Sequence, residues 1–146
     1  SAASDVYKRQ AVKGRSAEAR VVGVSMARGA AMHASLAAGR PVHVDELETL
    51  ADSLGGGIGA DNRHTLRLCA ALLDDAILLS EDEIAAGIRH AAQVEHETVE
   101  GGGAVGIAAL LAGRVAARGP VAVILSGCNI DPALHRQIVA AADASC

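Results

Sequence analysis

Hydrophobic residues along the chain fall into short runs of strand length that alternate with longer amphipathic stretches. Residues 20–25 form a short β-branched run, residues 76–79 form a second apolar run, and residues 121–125 form a third. Continuous apolar runs of about four to eight residues are typical of strands that are buried on both faces. The pattern therefore predicts three buried strands, of which the run 121–125 is the clearest.

The remaining stretches have the spacing of amphipathic helices. Ser80, followed three residues later by Glu83, forms a capping box, and the acidic residues after Ser80 suit the positive end of a helix dipole. Gly39 and Pro41 mark a helix stop, and Pro132 suits a first helical turn. Helices are predicted over residues 27–38, 63–73, 81–97, 103–112 and 132–142, with irregular chain over residues 41–59.

Strands that alternate with helices predict an α/β fold with a mostly parallel sheet. In open sheets of this class, ligands bind beyond the carboxyl ends of the strands. A polar turn from Ser126 to Asn129 follows directly after the run 121–125. This turn is therefore the first candidate site.

The amino-acid composition is that of a globular protein, and it argues against some classes of binding partner. Of the 146 residues, 51% are hydrophobic and 21% are charged, and the formal net charge is -4. An acidic chain lacks the basic patch of a nucleic-acid binder, and with 1% aromatic residues it lacks rings on which single strands stack. The longest uncharged apolar run, residues 101–113, is shorter than the roughly 20 residues that a spanning helix needs. We expect neither a nucleic-acid partner nor a membrane segment.

The cysteines and the first ten residues bear on location and domain organisation. Cys69, Cys128 and Cys146 are odd in number and far apart, as in proteins of the reducing cytoplasm. Residues 1–10 lack the apolar segment of a signal peptide, and their residue pattern differs from that of the rest of the chain. We expect a cytoplasmic protein in which residues 1–10 are a leader foreign to the natural chain and residues 11–146 carry the fold.

A glycine-rich stretch invites a cofactor interpretation. Gly101, Gly103 and Gly106 satisfy the G-x-G-x-x-G pattern of dinucleotide-binding loops. That fingerprint needs a strand in front of it, whereas a helix is predicted here, which argues against a Rossmann cofactor. Two interpretations stay open: a flexible joint with close packing at a glycine-rich helix start, or backbone that lies beside a flat cofactor ring.

Candidate metal ligands are sparse. His96 and Glu97 resemble the start of the H-E-x-x-H zinc motif, but Glu100 stands where the second histidine is needed. The other histidines lack ligand spacing, so no metal site is predicted. The acidic clusters at 74–75 and 81–83 are interpreted as solvated loop and helix-start residues.

Ser126 is the residue that stands out, because it directly follows the run 121–125 and precedes Gly127. Its hydroxyl can offer one hydrogen bond to a ligand edge. It is not a nucleophile elbow, because the G-x that precedes the serine in such elbows is missing. A ligand contact and a turn-forming serine fit the pattern equally well.

Four sequence strings, in the correct order, together resemble one family. They are T-L-A-D-S-L at 49–54, L-D-D at 73–75 with S-E-D-E-I at 80–84, V-E-G-G-G-A-V at 99–105, and L-S-G-C-N-I-D at 125–131. These strings resemble the C-terminal half of the catalytic domain of threonine/serine dehydratases, which are pyridoxal-phosphate enzymes of the tryptophan-synthase-β type, fold type II. The run 22–31 is most similar to the hydroxyectoine-utilisation dehydratases within that family.

The resemblance implies that residues 11–146 are a truncated, partial three-layer α/β sandwich with pyridoxal 5'-phosphate as cofactor. Ser126, followed by Gly127, corresponds to the serine whose hydroxyl meets the pyridine nitrogen of the cofactor. Asp52, Ser53 and Glu100 would also lie near the cofactor ring. The family usually has glycine where Ser53 and Cys128 stand. A side chain at position 53 would crowd or hydrogen-bond the cofactor, so substrate choice is expected to differ.

The resemblance also implies what is missing. The lysine that binds the cofactor and the phosphate-binding glycine loop lie upstream of residue 11 in the family, so no catalytic residue is predicted and the chain alone is expected to be inactive. Ser25 and Ala31 stand where racemase-like members have cation ligands. The whole enzyme would be a homo-oligomer that releases water and then ammonia from a β-hydroxy amino acid, leaving a 2-oxo acid. The alternatives are a racemase, a β-replacement synthase, or a stand-alone non-catalytic α/β binding module.

Overall fold

The computed structural model describes residues 2–62 and 64–141. Helices and strands alternate along much of this part of the chain, and the strands form a small parallel sheet. The elements are α1 (Ala2–Arg15), β1 (Val22–Met26), α2 (Ala31–Ala38), a 3₁₀ turn (Asp52–Leu54), α3 (His64–Leu72), β2 (Asp75–Leu79), α4 (Glu81–Gln93), α5 (Gly101–Leu111) and α6 (Pro132–Ala140). The predicted α/β class is confirmed.

Strands β1 and β2 pair in parallel, in register from Val22 opposite Asp75 to Met26 opposite Leu79. Both strands were predicted, and their bounds differ from the predicted ones by at most two residues. Parallel neighbours need a crossover connection, and here α2, the loop after it and α3 provide that crossover. The carboxyl ends of both strands therefore face the same edge of the sheet, beside Ser80 and the start of α4.

Asp74 fixes the amino-terminal end of this strand pair. One carboxylate oxygen accepts a hydrogen bond from the backbone N–H of Val21 at 2.6 Å, and the side chain of Lys13 lies 2.7 Å away. The Lys13 hydrogen bond, followed by that of Val21, holds the pKa of Asp74 below its ordinary value. Asp74 and Asp75 are exposed, as the solvated interpretation predicted, and Asp75 also pairs with Arg20 at 3.1 Å.

Helix α1 was not predicted, because residues 1–10 were set aside as a leader. It runs from Ala2 to Arg15 and therefore crosses the expected boundary at residue 11. Its last turn contacts the rest of the fold through Lys13 and Asp74, and α1 also packs against α3. Whether residues 1–10 belong to the natural chain stays a prediction.

Helices α4 and α5 form the most extensive contact between elements. They meet at Gly87, where an added methyl group would lie 2.8 Å from both the Ala104 carbonyl oxygen and the Ala108 side chain. Small residues on both helices therefore let their backbones approach closely. The core around this contact is built from aliphatic residues, namely Met26, Ala51, Leu79, Ile84, Ile88, Ala91, Val99, Ala104, Val105, Ile107, Ala108, Ala109 and Ile138.

The predicted capping box at the start of α4 is present. The Ser80 hydroxyl accepts from the backbone N–H of Glu83 at 3.3 Å, and the Ser80 backbone N–H donates to the Glu83 carboxylate at 2.7 Å. The same carboxylate accepts from Arg114 Nε at 2.8 Å, just after the end of α5. Because the start of α4 meets the end of α5, the two helices run antiparallel.

The free energy of unfolding should decrease at acidic pH because of Glu83. Its hydrogen bond from the Ser80 backbone, and then that from Arg114, hold its pKa below the ordinary 4.5. The stabilisation is therefore complete above pH 4.5 and is lost as the pH falls through the lower folded-state pKa. Glu83→Gln keeps the capping geometry without the charge. Thermal unfolding across this pH range should show a shallower acid loss in the variant, and equal slopes would contradict the assignment.

The third predicted strand is the main error of the sequence reasoning. Residues 121–125 are extended, but within the described part of the chain they pair with no strand, and Val121, Ile124 and Leu125 are 47%, 60% and 41% exposed. Only Val123 turns inward, where it packs against Gly106 of α5. An apolar run shows that a segment is suited to a sheet, whereas burial also requires neighbouring strands.

The predicted helices are present with shifted bounds. Helix α2 starts at Ala31 rather than at residue 27, because Gly29 adopts a φ of +65° in the preceding turn. Helix α4 ends at Gln93 rather than at residue 97, and α5 starts two residues earlier than predicted, at Gly101. Residue 142, the predicted end of α6, lies outside the described residues. Among those described, no helix combines the length and apolar character needed to cross a bilayer.

Candidate functional site

The first turn of α5 receives the loop that carries Ser53. The backbone of Gly101 packs so closely on Leu50 that an added methyl group would overlap the Leu50 carbonyl. At Gly102 an added methyl group would overlap the Ser53 hydroxyl oxygen. Both glycines are buried within the helix, so the flexible-joint interpretation was wrong, and close packing at a helix start was right.

The same helical turn also receives the segment that carries Ser126. A methyl group at Gly103 would lie 2.6 Å from the Ser126 carbonyl oxygen. The backbone N–H of Glu100 donates to the Gly127 carbonyl at 3.2 Å. Three consecutive glycines thus let two distant segments meet at the amino-terminal end of one helix.

The Glu100 side chain covers the turn at Gly127. Gly127 has a φ of +88°, which favours glycine, and an added methyl group would lie 2.7 Å from the Glu100 carboxyl group. Glu100 is the N-cap residue of α5, yet its side chain makes no capping hydrogen bond. The positive end of the helix dipole favours a carboxylate at this position.

The structure brings together all four residues that the sequence predicted as a site. Ser53, Glu100, Ser126 and Gly127 all lie around the first turn of α5. Within the described part of the chain, the side chains of the two serines and of Glu100 make no hydrogen bond; the serines are exposed and Glu100 is half-buried. Two hydroxyl groups and one carboxylate are thus available to a ligand.

Asp131 fixes the far end of the turn that begins at Ser126. Its carboxylate accepts hydrogen bonds from the backbone N–H groups of Ala133 at 2.7 Å and Leu134 at 2.9 Å, and so caps α6. The Leu134 hydrogen bond, followed by that of Ala133, lowers the pKa of Asp131. Residues 126–131 are therefore anchored at both ends, by α5 and by α6.

Sequence reasoning missed the hydrogen bonds that hold the loop carrying Ser53. Glu81 Oε1 accepts from the Thr49 hydroxyl, and Glu81 Oε2 accepts from the Leu50 backbone N–H, both at 2.7 Å. Glu81 is the first residue of α4, as interpreted from the sequence, but it is only partly exposed and its contact with this loop was not predicted. Thirty-one residues separate Glu81 from Leu50, and no spacing rule relates them.

A cavity of about 310 Å³ borders this loop, and Asp52 lines it together with Arg28 and Glu46. Ser53, Glu100 and Ser126 do not line it. The cavity and the cluster at α5 are therefore separate features. No group of three or more His, Cys, Asp or Glu side chains with the arrangement of a metal site occurs in the described ranges 2–62 and 64–141.

Comparison with known proteins decides the family. The sequence model described as "Pyridoxal-phosphate dependent enzyme" matches residues 7–127, which is most of the chain. The chain belongs to this family. Pyridoxal phosphate is the cofactor of the family, and the two free hydroxyl groups and the carboxylate at α5 are donors and acceptors suited to its polar ring atoms.

Individual relatives agree with this assignment. A "Putative threonine dehydratase" of Sinorhizobium fredii is 61% identical over 130 residues, covering 88% of this chain and 39% of that protein. The L-threonine ammonia-lyase of Thermotoga maritima is 33% identical over 130 residues, covering 88% of this chain and 32% of that protein. The chain thus spans well under half the length of the curated relatives it matches.

Solved structures show the same fold. The crystal structure of the T.th. threonine deaminase superposes with a TM-score of 0.75 at 28% sequence identity, covering 86% of this chain and 46% of that chain. The fold is therefore that of fold type II pyridoxal-phosphate enzymes. This confirms the resemblance drawn from the four sequence strings, and the role of each site residue stays a prediction.

Proposed function

We propose that this chain is part of a pyridoxal-phosphate-dependent ammonia-lyase that acts on a threonine- or serine-like β-hydroxy amino acid. The observation that carries the proposal is the convergence of Ser53, Glu100 and Ser126, without partners in the described part of the chain, at the first turn of α5. The 61% identity with the Sinorhizobium fredii protein supports the choice of dehydratase chemistry.

In the proposed reaction the substrate first loses its β-hydroxyl as water. Water is taken up again when the amino group leaves as ammonia, so the net products are a 2-oxo acid and ammonia. Pyridoxal phosphate supplies the electron sink that makes bond breaking at the α-carbon possible. The similarity of residues 22–31 to hydroxyectoine-utilisation dehydratases supports a β-hydroxy amino acid from hydroxyectoine breakdown as the substrate.

Ser126 would contact the pyridine nitrogen with a neutral hydroxyl group. A hydroxyl can donate a hydrogen bond to that nitrogen but cannot hold a proton on it as an aspartate would. The Ser126 hydroxyl would thus leave the ring a weaker electron acceptor, which would suit elimination better than transamination. Gly127 keeps the turn open for this approach, while Glu100 and Ser53 would orient polar groups beside the ring.

We further propose that the chain is the C-terminal portion of the catalytic domain and is inactive by itself. Its two lysines are Lys8 and Lys13, and Lys13 is paired with Asp74. The exposed run 121–125 presents unpaired backbone and apolar side chains, which supports a neighbouring strand in the full-length protein. We expect the whole protein to be a cytoplasmic homo-oligomer, as the family resemblance implies.

The test uses the full-length protein that contains this chain. Titration with pyridoxal phosphate should produce the visible absorbance band of enzyme-bound cofactor, and incubation with L-threonine or L-serine should release a 2-oxo acid and ammonia. A D-amino acid product would indicate a racemase, and a thioether formed with an added thiol would indicate a β-replacement synthase. Full-length protein without a cofactor band would overturn the proposal in favour of a non-catalytic binding module.

Ser126→Ala should lower kcat/KM of the full-length enzyme by about 10- to 100-fold, because one hydrogen bond to a ring atom is lost. Cys128→Ala is the matched control, since Cys128 is exposed in the same turn and should leave kcat/KM unchanged. Steady-state kinetics with L-threonine measure both variants. Equal losses in the two variants would show that the turn, rather than the hydroxyl, matters.

A further inference from the structure

The Glu81 carboxylate links the start of α4 to a loop far away in sequence. Its two oxygens accept from the Thr49 hydroxyl and from the Leu50 backbone N–H, each at 2.7 Å. Hydrogen bonds to a charged acceptor are shorter and about twice as strong as neutral ones. Glu81 is therefore a strong attachment point for residues 49–50.

Helix α4 does not need Glu81 for its own capping. Ser80 and Glu83 already satisfy each other's backbone N–H groups at this end of the helix. Both oxygens of Glu81 are used by the loop instead. A residue in the first turn of a helix is well placed for this, because the helix dipole stabilises its negative charge.

The loop held by Glu81 leads directly to the candidate site. The Leu50 carbonyl lies against Gly101, and the next residue, Ala51, is completely buried. The Ala51 carbonyl accepts from the Leu54 backbone N–H at 2.9 Å, which closes the turn that carries Ser53. A displacement of Leu50 would therefore displace Ser53 relative to α5.

Other contacts of this loop are weaker or lie further from the site. The Arg28 side chain donates to the Glu48 carbonyl at 3.0 Å, upstream of Thr49. The Thr49 hydroxyl oxygen also accepts from the Ala51 backbone N–H at 3.2 Å. Because Glu81 holds this hydroxyl, it is linked to Ala51 through Thr49 as well as bonded directly to Leu50. Among the side chains described, the one that makes a hydrogen bond closer to the turn that carries Ser53 is Thr49, which Glu81 itself holds.

We propose that Glu81 is a positioning residue for the cofactor site. Its carboxylate fixes Thr49 and Leu50, and through them sets the position of the Ser53 hydroxyl over the first turn of α5. This inference rests on the proposed function for the identity of the ligand. The fixing of residues 49–54 by Glu81 can be measured without any ligand.

Three variants of the full-length protein separate positioning from a general effect of charge. Glu81→Ala removes both acceptors and leaves the Leu50 N–H without a side-chain partner. Glu81→Gln keeps both contacts, because its amide oxygen accepts from Leu50 and its NH₂ group donates to the Thr49 hydroxyl oxygen. Asp82→Ala removes the same charge from the exposed next position of α4 and is the matched control.

Two measurements test the proposal on each variant. Hydrogen exchange of the backbone amides in residues 50–54, without cofactor, should be about 10- to 100-fold faster in Glu81→Ala, as expected for lost hydrogen bonds to a charged group. The dissociation constant for pyridoxal phosphate, from its visible absorbance, should rise at least about 10-fold in the same variant. Asp82→Ala should resemble the wild type in both measurements, and Glu81→Gln, whose hydrogen bonds are neutral and weaker, should lie between the wild type and Glu81→Ala.

The outcomes distinguish this inference from the proposed function. Unchanged exchange in Glu81→Ala overturns the inference, whether or not the wild type binds cofactor. Faster exchange with unchanged cofactor affinity also overturns it, because the loop would then move without affecting the site. A wild type that binds no pyridoxal phosphate overturns the proposed function, and faster exchange in Glu81→Ala would still support the fixing of residues 49–54.

Discussion

Gly101→Ala should lower the free energy of unfolding of the chain by about 3 kcal/mol, the upper part of the usual range for overpacking. The new methyl group would overlap the Leu50 carbonyl and would lie 2.9 Å from the Ala51 backbone nitrogen. Both atoms belong to the backbone, and Ala51 is completely buried, so neither can rotate away. Thermal unfolding should show a decrease in Tm of roughly 10 °C for a chain of this length.

Two further variants make this prediction specific. Gly119→Ala places a methyl group where no atom lies within 4 Å, and it should change stability by less than about 0.5 kcal/mol. In Gly102→Ala the methyl group overlaps the Ser53 hydroxyl, whereas Leu54 and Glu100 lie at ordinary contact distances of 3.4 and 3.5 Å, so Ser53→Gly in the same protein should restore the stability. If Gly101→Ala unfolded like Gly119→Ala, the loop would not lie against α5 as described.

The second large effect is expected at Gly127. Gly127→Ala should cost about 3 kcal/mol of unfolding free energy, of which roughly 1–2 kcal/mol arises from a side chain at positive φ. The remainder arises from overlap with the Glu100 carboxyl group, 2.7 Å from the added methyl carbon. Chemical denaturation of the variant and of the wild type measures the total.

A double variant separates the two contributions. Glu100→Ala combined with Gly127→Ala should recover the overlap part and leave the backbone part. Cys128→Ala, in the same turn, should lie within about 0.5 kcal/mol of the wild type. Failure of Glu100→Ala to recover any stability would mean that the Glu100 side chain does not cover Gly127 in solution.

The secondary structure was largely predictable because most elements carry their signal locally. The β-branched run in β1, the capping box at Ser80 and the helix stop at Gly39 each act within a few residues. Residues 121–125 were mispredicted as buried because burial depends on what lies beside a strand. Helix α1 was not predicted, because residues 1–10 were excluded from the fold on their residue pattern alone.

The candidate site was predictable only in part. Ser126 followed from its place after an apolar run, whereas Ser53 and Glu100 came from the family resemblance. The role of Glu81 had no signal in the sequence, since its partners Thr49 and Leu50 are set by the three-dimensional fold. A glutamate in the first turn of a helix is already explained by the helix dipole. The sequence therefore offered no reason to expect the contact of Glu81 with Thr49 and Leu50.

The close contact at Gly87 has a consequence for how this sequence can diverge. An added Cβ at position 87 would lie 2.8 Å from both the Ala108 side chain and the Ala104 carbonyl oxygen, so even glycine at position 108 would leave a clash with the backbone of α5. Glycine should therefore be retained at position 87 in homologues that keep this separation of the two helices, whatever residue they carry at position 108. Homologues that carry alanine at both positions should show a wider separation of the α4 and α5 axes.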